Sequence, residues 1–184
     1  APMPSSLVDD HLSIGDRSVA VDAVVCCTGF HYDTRFIDST VVTGVDAPTP
    51  LYRHLLPVEH PTMALIGIPQ RIIPFPLFEM QAKWFGAVLA GRVALPTGAE
   101  RQAWLDDWHQ RCRVEGREPY QFRNIGAEQF DYIDDLAREC GTDVLPDWYR
   151  PLAQATQESR IAHPLDFRDQ PIATRGKSVV PPDR

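Results

Sequence analysis

The run Ala23-Val24-Val25-Cys26-Cys27 ends at Thr28-Gly29, and it constrains the fold more than any other stretch of this sequence. Successive residues of a strand point to opposite faces, so a run that is apolar at every position asks for cover on both sides. That requirement predicts a central parallel strand in a layered sheet. Cys26 and Cys27 are expected to fill core space on either side of it. Upstream, "HLSIGDRSVAV" reads as two short alternating runs joined at Gly15-Asp16, which predicts a hairpin. "LYRHLL" and "MALIG" are further strand candidates, and Pro48, Pro50, Pro57 and Pro61 punctuate the loops between them.

After Phe78 the periodicity changes to helical. "PLFEMQAKWFGAVLAGRV" puts Leu77, Met80, Trp84, Val88 and Phe85 on one face, with an end expected at Pro96 and Gly98. A second helix over "AERQAWLDDWHQRCRVEG" turns Trp104, Leu105, Trp108 and Cys112 inward. A third over "EQFDYIDDLARECG" turns Phe130, Ile133, Leu136 and Ala137 inward and stops at Gly141. "PDWYRPLAQATQ" predicts a fourth, beginning at Pro146. The expected organisation is therefore a β-rich region over 1–75, a helical region over 76–160 and an extended or loose tail over 161–184.

Composition narrows the class. With 43% apolar and 23% charged residues and a net charge of −7, the chain reads as an ordinary globular protein. No basic block suggests a nucleic-acid surface, and no apolar stretch approaches the ~20 residues of a membrane span. The first residues show neither a basic start nor an apolar signal core, so cytoplasm is the default expectation. The four cysteines form no CxxC pair and no histidine sits at zinc-ligand spacing, so no metal site is expected. His31, His54 and His60 have no acid, Cys or Ser partner by motif and read as structural or surface residues, so no catalytic residue is assigned.

Strands first and helices after is an unusual order for a complete α/β domain, which interleaves them. No GxGxxG turn follows a first strand. The pattern fits the end of a fold that begins elsewhere.

Four segments carry a resemblance. "DAVVCCTGFHYDTRF" resembles the Asp, apolar strand and (A/C)-T-G-(Y/F) of flavin-containing monooxygenases, with Phe30 where many members have Tyr. "LYRHLLPVEHPTMALIGIP" resembles their LY-(K/R)-H segment with its strand ending in Ile-Gly. "PFPLFEMQAKWFGAVLAGRVALP" is similar to the helix that carries E-x-Q-A-x-W, and "FDYIDDLAREC" to the later Y-x-x-x-L-A helix. The match runs from about Asp22 to Trp148. The family's two Gly-rich turns, for FAD and NADPH, are absent from this sequence.

What the resemblance implies is the C-terminal part of an α/β flavoprotein with two Rossmann-like dinucleotide-binding regions, for FAD and NADP. The complete enzyme is expected to be an N,N-dimethylaniline-type flavin monooxygenase. It would use FAD and NADPH to oxygenate soft nucleophiles, amines or sulfides, with O2 through a C4a-hydroperoxyflavin. Its partners would be that small nucleophile and the N-terminal FAD-binding half; the chain alone is expected to be inactive. A Baeyer–Villiger or other pyridine-nucleotide flavoprotein, and a non-catalytic module completed by a partner chain, remain open as alternatives.

Cofactor contacts implied by the resemblance are Thr28, Gly29, Gly67, Gln70, Arg71, Pro74 and Gln81. Thr28 and Gly29 end the apolar strand, where ligands of open α/β folds bind. The helix after Ile66–Ile73 is expected to aim its N-terminal N–H groups and positive dipole end at the flavin's pyrimidine edge. Pro69 and Pro74 would stiffen that turn, and Pro76 would stand early in the helix. Gln70 and Arg71 are either flavin contacts or solvent-facing loop residues. Gln81 either reaches cofactor or substrate or makes a buried structural hydrogen bond. Glu79 is expected to cap the helix start or pair with Lys83.

Overall fold

The computed structural model describes residues 4–27, 34, 36–38, 41, 50–170, 173–174 and 177–178. The chain divides into two compact units, Ala1–Tyr32 and Asp33–Arg184.

The first unit is a three-stranded antiparallel meander of β1 (Pro4–Val8), β2 (His11–Ile14) and β3 (Arg17–Ala20). Gly15, at φ 58°, makes the β2–β3 turn as its position predicts. The β1–β2 turn uses Asp9 and Asp10 at φ 47° and 61°, the mirror-image turn that Asp tolerates. The central parallel strand expected over Ala23–Cys27 is not formed: these residues carry no strand. Val24 is 47% and Val25 82% exposed, and Cys26 and Cys27 are exposed instead of buried. A strand apolar on both faces needs paired neighbours and two covering layers, which the described residues of this unit do not supply.

The second unit is built on helices. Strands β4 (Leu51–Tyr52) and β5 (Leu56–Pro57) pair antiparallel, so "LYRHLL" is a tight hairpin and not one strand. Its loop carries Arg53 and His54 at φ 51° and 56°, a conformation costly for side chains of this size. "MALIG" forms no strand: Met63–Leu65 are irregular and Ile66-Gly67 is a turn, tied to the hairpin by the Leu65 N–H donating to the Leu55 carbonyl at 2.9 Å.

Helix α1 (Pro74–Leu89) starts two residues before Pro76 and ends well before Pro96. Gly91, at φ 70°, ends it in a left-handed cap, with the Arg92 N–H bonding the Ala87 carbonyl at 2.9 Å. Pro96 belongs to the entry of α2 (Gly98–Val114), where Thr97 and Glu100 form a capping box. Helix α3 (Gln129–Cys140) stops at Gly141, φ 71°, as expected. Helix α4 spans Tyr149–Ala162, and short strands β6 (Ala173–Thr174) and β7 (Lys177–Ser178) follow.

The core lies where α1 packs on α3 beneath the hairpin. Leu77, Trp84 and Ala87 of α1 meet Ile133, Leu136 and Ala137 of α3, with Leu55 and Leu56 between. Phe130, expected inward, is half-buried under the Arg150 guanidinium, 5.2 Å from its ring centroid. Among the described residues no helix is long and apolar enough to cross a membrane.

Candidate functional site

The segment Ile66–Ile73 joins the hairpin region to α1 without regular structure, yet it is held at three places. The Gly67 N–H donates to Gln81 Oε1 at 3.1 Å. The Gln70 N–H donates to the Arg123 carbonyl at 2.8 Å, and the Gln70 carbonyl accepts from the Ile125 N–H at 3.2 Å. The Ile73 N–H donates to Gln129 Oε1 at 2.6 Å, and Gln129 Nε2 donates in turn to the Gly126 carbonyl at 2.9 Å.

Between the second and third of these clamps stands Arg71, exposed and at φ 54°. A left-handed arginine costs on the order of 1 kcal/mol or more and persists only where its surroundings over-determine it. The bonds at Gln70 and Ile73 do that. Arg71 borders two grooves. One, of about 730 Å³, runs past Ile72, Ile73 and Phe130 to Arg150 and Arg160. The other, of about 340 Å³, is shared with Arg117, Asn124 and Glu128. Among the described residues, Arg71 has no acidic partner.

Four of the residues implied by resemblance therefore share this loop and the helix start: Gly67, Gln70, Arg71 and Pro74. Gln81 lies on the inner face of α1 with no exposed surface. Its Oε1 accepts from Gly67 and its Nε2 donates to the Tyr132 hydroxyl at 2.9 Å, so both ends of the amide are engaged within the chain. Gly67 is needed for its own reasons. It sits at φ 90°, and a Cβ there would lie 3.3 Å from the Phe78 ring. Thr28, Gly29 and His31 lie outside the described residues.

The residues that do the holding, Tyr132, Gln129 and Arg53, were not among the expected contacts, although Tyr132 and Arg53 stand in the matched Y-x-x-x-L-A and LY-(K/R)-H motifs. Tyr132 and Gln129 did leave a signal, since both fall on the apolar face of α3 at helical spacing from Leu136. Burial pushes the Tyr132 hydroxyl well above its ordinary range, which keeps it protonated and able to donate. It donates to the Arg53 carbonyl at 2.9 Å. His54 is enclosed by the rings of Trp104, Trp108 and Tyr132 at centroid distances of 5.3, 4.6 and 5.9 Å. Burial first, then the Arg111 charge, lowers its pKa to about 3, so the imidazole is neutral. Glu79 pairs with Lys83 at 2.6 Å, one of its two expected roles.

A family model described as "Flavin-binding monooxygenase-like" matches residues 7–149. The chain belongs to that family. It is 32% identical over 157 residues to Flavin-containing monooxygenase FMO GS-OX-like 3 of Arabidopsis thaliana, covering 84% of this chain and 35% of that protein. GS-OX-like 5 of the same plant matches at 32% identity over 157 residues. Among solved structures, S-allyl-L-cysteine S-oxygenase from Allium sativum aligns at TM-score 0.85 and 36% identity, over 91% of this chain and 39% of that one. Tmm from Pelagibacter sp. strain HTCC7211, at TM-score 0.74 and 16% identity, shares the fold. This flavin-monooxygenase chain thus spans about a third of the length of the curated relatives it matches, 35% in the first two. Its architecture is part of the family's α/β flavoprotein fold.

The fit of a flavin to this loop can be judged from the donors present. A flavin's pyrimidine edge carries acceptor atoms and gains negative charge on reduction. Arg71 suits that edge as a cation without an acidic partner among the described residues. The helix start suits it less fully than expected. Prolines occupy the first and third positions of α1, and Gln129 takes the Ile73 N–H, so Phe75 alone offers an N–H among the first three helical residues.

Proposed function

We propose that this chain is the C-terminal part of an FAD- and NADPH-dependent monooxygenase that oxygenates a small sulfide, with tertiary amines as the competing substrate class. The observation that carries the reading is the clamped, left-handed Arg71 between two grooves, on the loop leading into α1. In the complete enzyme, bound FAD reduced by NADPH supplies the oxygen-transfer chemistry. The chain's own residues bind and orient. Arg71 holds the negative pyrimidine edge, while Phe75 contributes one N–H and the positive end of the α1 dipole. Gln70 fixes the loop through its backbone, and Gly67 with Gln81 scaffolds it. The 730 Å³ groove beside Arg71 is large enough for a small organic ligand. Sulfur is favoured over nitrogen by the likeness to an S-allyl-L-cysteine S-oxygenase.

The test starts from the native gene product. Its denatured mass should lie well above that of this chain, and it should carry a flavin absorption spectrum. NADPH consumption should rise with an S-alkyl cysteine more than with a tertiary amine. Substituting Arg71→Ala should lower flavin retention. A flavin-free product, or one whose NADPH oxidation is indifferent to both substrates, would overturn the reading.

A further inference from the structure

The polar side chains Gln129, Tyr132 and Glu139 stand on α3 at spacings of three and seven residues, on the stripe that also carries the buried Leu136. Each grips a backbone segment or side chain far away in sequence. Gln129 holds Ile73, at the end of the Arg71 loop. Tyr132 reaches Gly67, at the start of that loop, through Gln81. Tyr132 also holds the Arg53 carbonyl, and Glu139 takes the Arg53 guanidinium in a two-point ion pair at 2.7 and 2.6 Å. Trp84 Nε1 donates to the same carboxylate at 2.8 Å.

The polarity of this relay is fixed by its two backbone ends. The Gly67 N–H can only donate, so it meets Gln81 Oε1, which leaves Gln81 Nε2 to donate to the Tyr132 oxygen. The tyrosine proton then goes to the Arg53 carbonyl, which can only accept. No step of the chain can reverse, and no link can be dropped without stranding a polar group. Its ends are two segments with positive φ at non-glycine residues: Arg53–His54 at one and the loop of Arg71 at the other. Strain of that kind survives where a network holds it, and it gathers where conformation is used.

We propose that Tyr132 is a positioning residue: its hydroxyl lets α3 set the conformation of the Gly67–Arg71 loop that presents Arg71 to the cofactor. This rests on the flavin-edge reading of Arg71 given above. Tyr132 touches neither cofactor nor substrate and acts through Gln81.

The experiment compares Tyr132→Phe, which keeps the ring and removes one oxygen, with Ile133→Val at the next residue of α3, in the full-length gene product. Hydrogen exchange over Gly67–Arg71 is read by mass spectrometry, and flavin midpoint potential and flavin release are measured alongside. Tyr132→Phe is expected to speed exchange in that loop roughly tenfold, as loss of a buried hydrogen bond does. It is also expected to shift the potential and hasten flavin release. Ile133→Val should do none of these at comparable stability. Equal loop exchange in the two variants overturns the proposal. Faster exchange in Tyr132→Phe with an unaltered flavin also overturns it, provided Arg71→Ala does alter the flavin. If Arg71→Ala leaves the flavin unaltered too, the flavin-edge reading itself falls.

Discussion

The enclosed His54 gives this fold a defined weakness toward acid. Its ring is buried among Trp104, Trp108 and Tyr132, and its pKa drops from 6.5 to about 3. A histidine held neutral in the fold titrates first in the unfolded chain. Above pH 6.5 neither state binds the proton and the residue contributes no pH dependence. Below it the unfolded chain takes up a proton that the folded chain refuses, so stability falls with pH until the folded value of about 3 is reached. Each pH unit within that window is worth about 1.4 kcal/mol, so between about pH 7 and about pH 4.5 the loss is roughly 2–3 kcal/mol. A folded pKa one unit higher would leave that figure almost unchanged, because the unfolded state does most of the titrating. The perturbation is His54→Asn, chosen because asparagine accepts the left-handed backbone at this position. Urea unfolding followed by tryptophan fluorescence, at both pH values, measures the acid loss in each protein. Carboxylates contribute equally to both and cancel in the comparison. The wild-type chain should lose roughly 2–3 kcal/mol more than His54→Asn. Equal losses would mean that His54 is solvated or paired in the fold, and the reasoning would be refuted.

Two further substitutions test the packing directly. Gly67→Ala combines φ 90° with a Cβ 3.3 Å from the Phe78 ring, so it should destabilise the fold by at least about 1 kcal/mol and be visible as a lowered urea midpoint. Leu136→Ala removes a side chain with no exposed surface from the α1–α3 interface; a loss of about 2–5 kcal/mol is expected in the same assay.

Local signals and remote ones were not equally readable in the sequence. The Gly15 turn, the Gly141 stop, the inward face of α2 and, Phe130 apart, that of α3 depend on residues within a few positions, and each was legible. The apolar runs at Ala23–Cys27 and Met63–Gly67 were legible only as a demand for burial. A period-two pattern states which faces are apolar but not which strands will cover them. Gln81 was ambiguous for the same reason, since its partners Gly67 and Tyr132 lie 14 and 51 residues away. Arg101 gave no signal at all. Its guanidinium is buried, where Nε and Nη2 donate to the Val58 carbonyl at 3.0 and 2.8 Å and Nη1 donates to that of Pro96 at 2.5 Å. A charged residue reads as solvent-facing unless the carbonyls that satisfy it are known. The proline-bound turn between Ile66 and α1 was legible from its prolines, and the clamps that shape it were not.

The alternating prolines at the head of α1 have a practical consequence for anyone observing this site. A backbone correlation spectrum registers one resonance per amide proton, and Pro74 and Pro76 supply none. Phe75 is therefore the sole amide resonance from the first three residues of the helix. The sequence holds eight phenylalanines, of which Phe75 alone follows a proline, so carbonyl-13C proline combined with 15N phenylalanine would select one assignable resonance at the helix mouth, and its movement on adding a ligand would report directly on what arrives there.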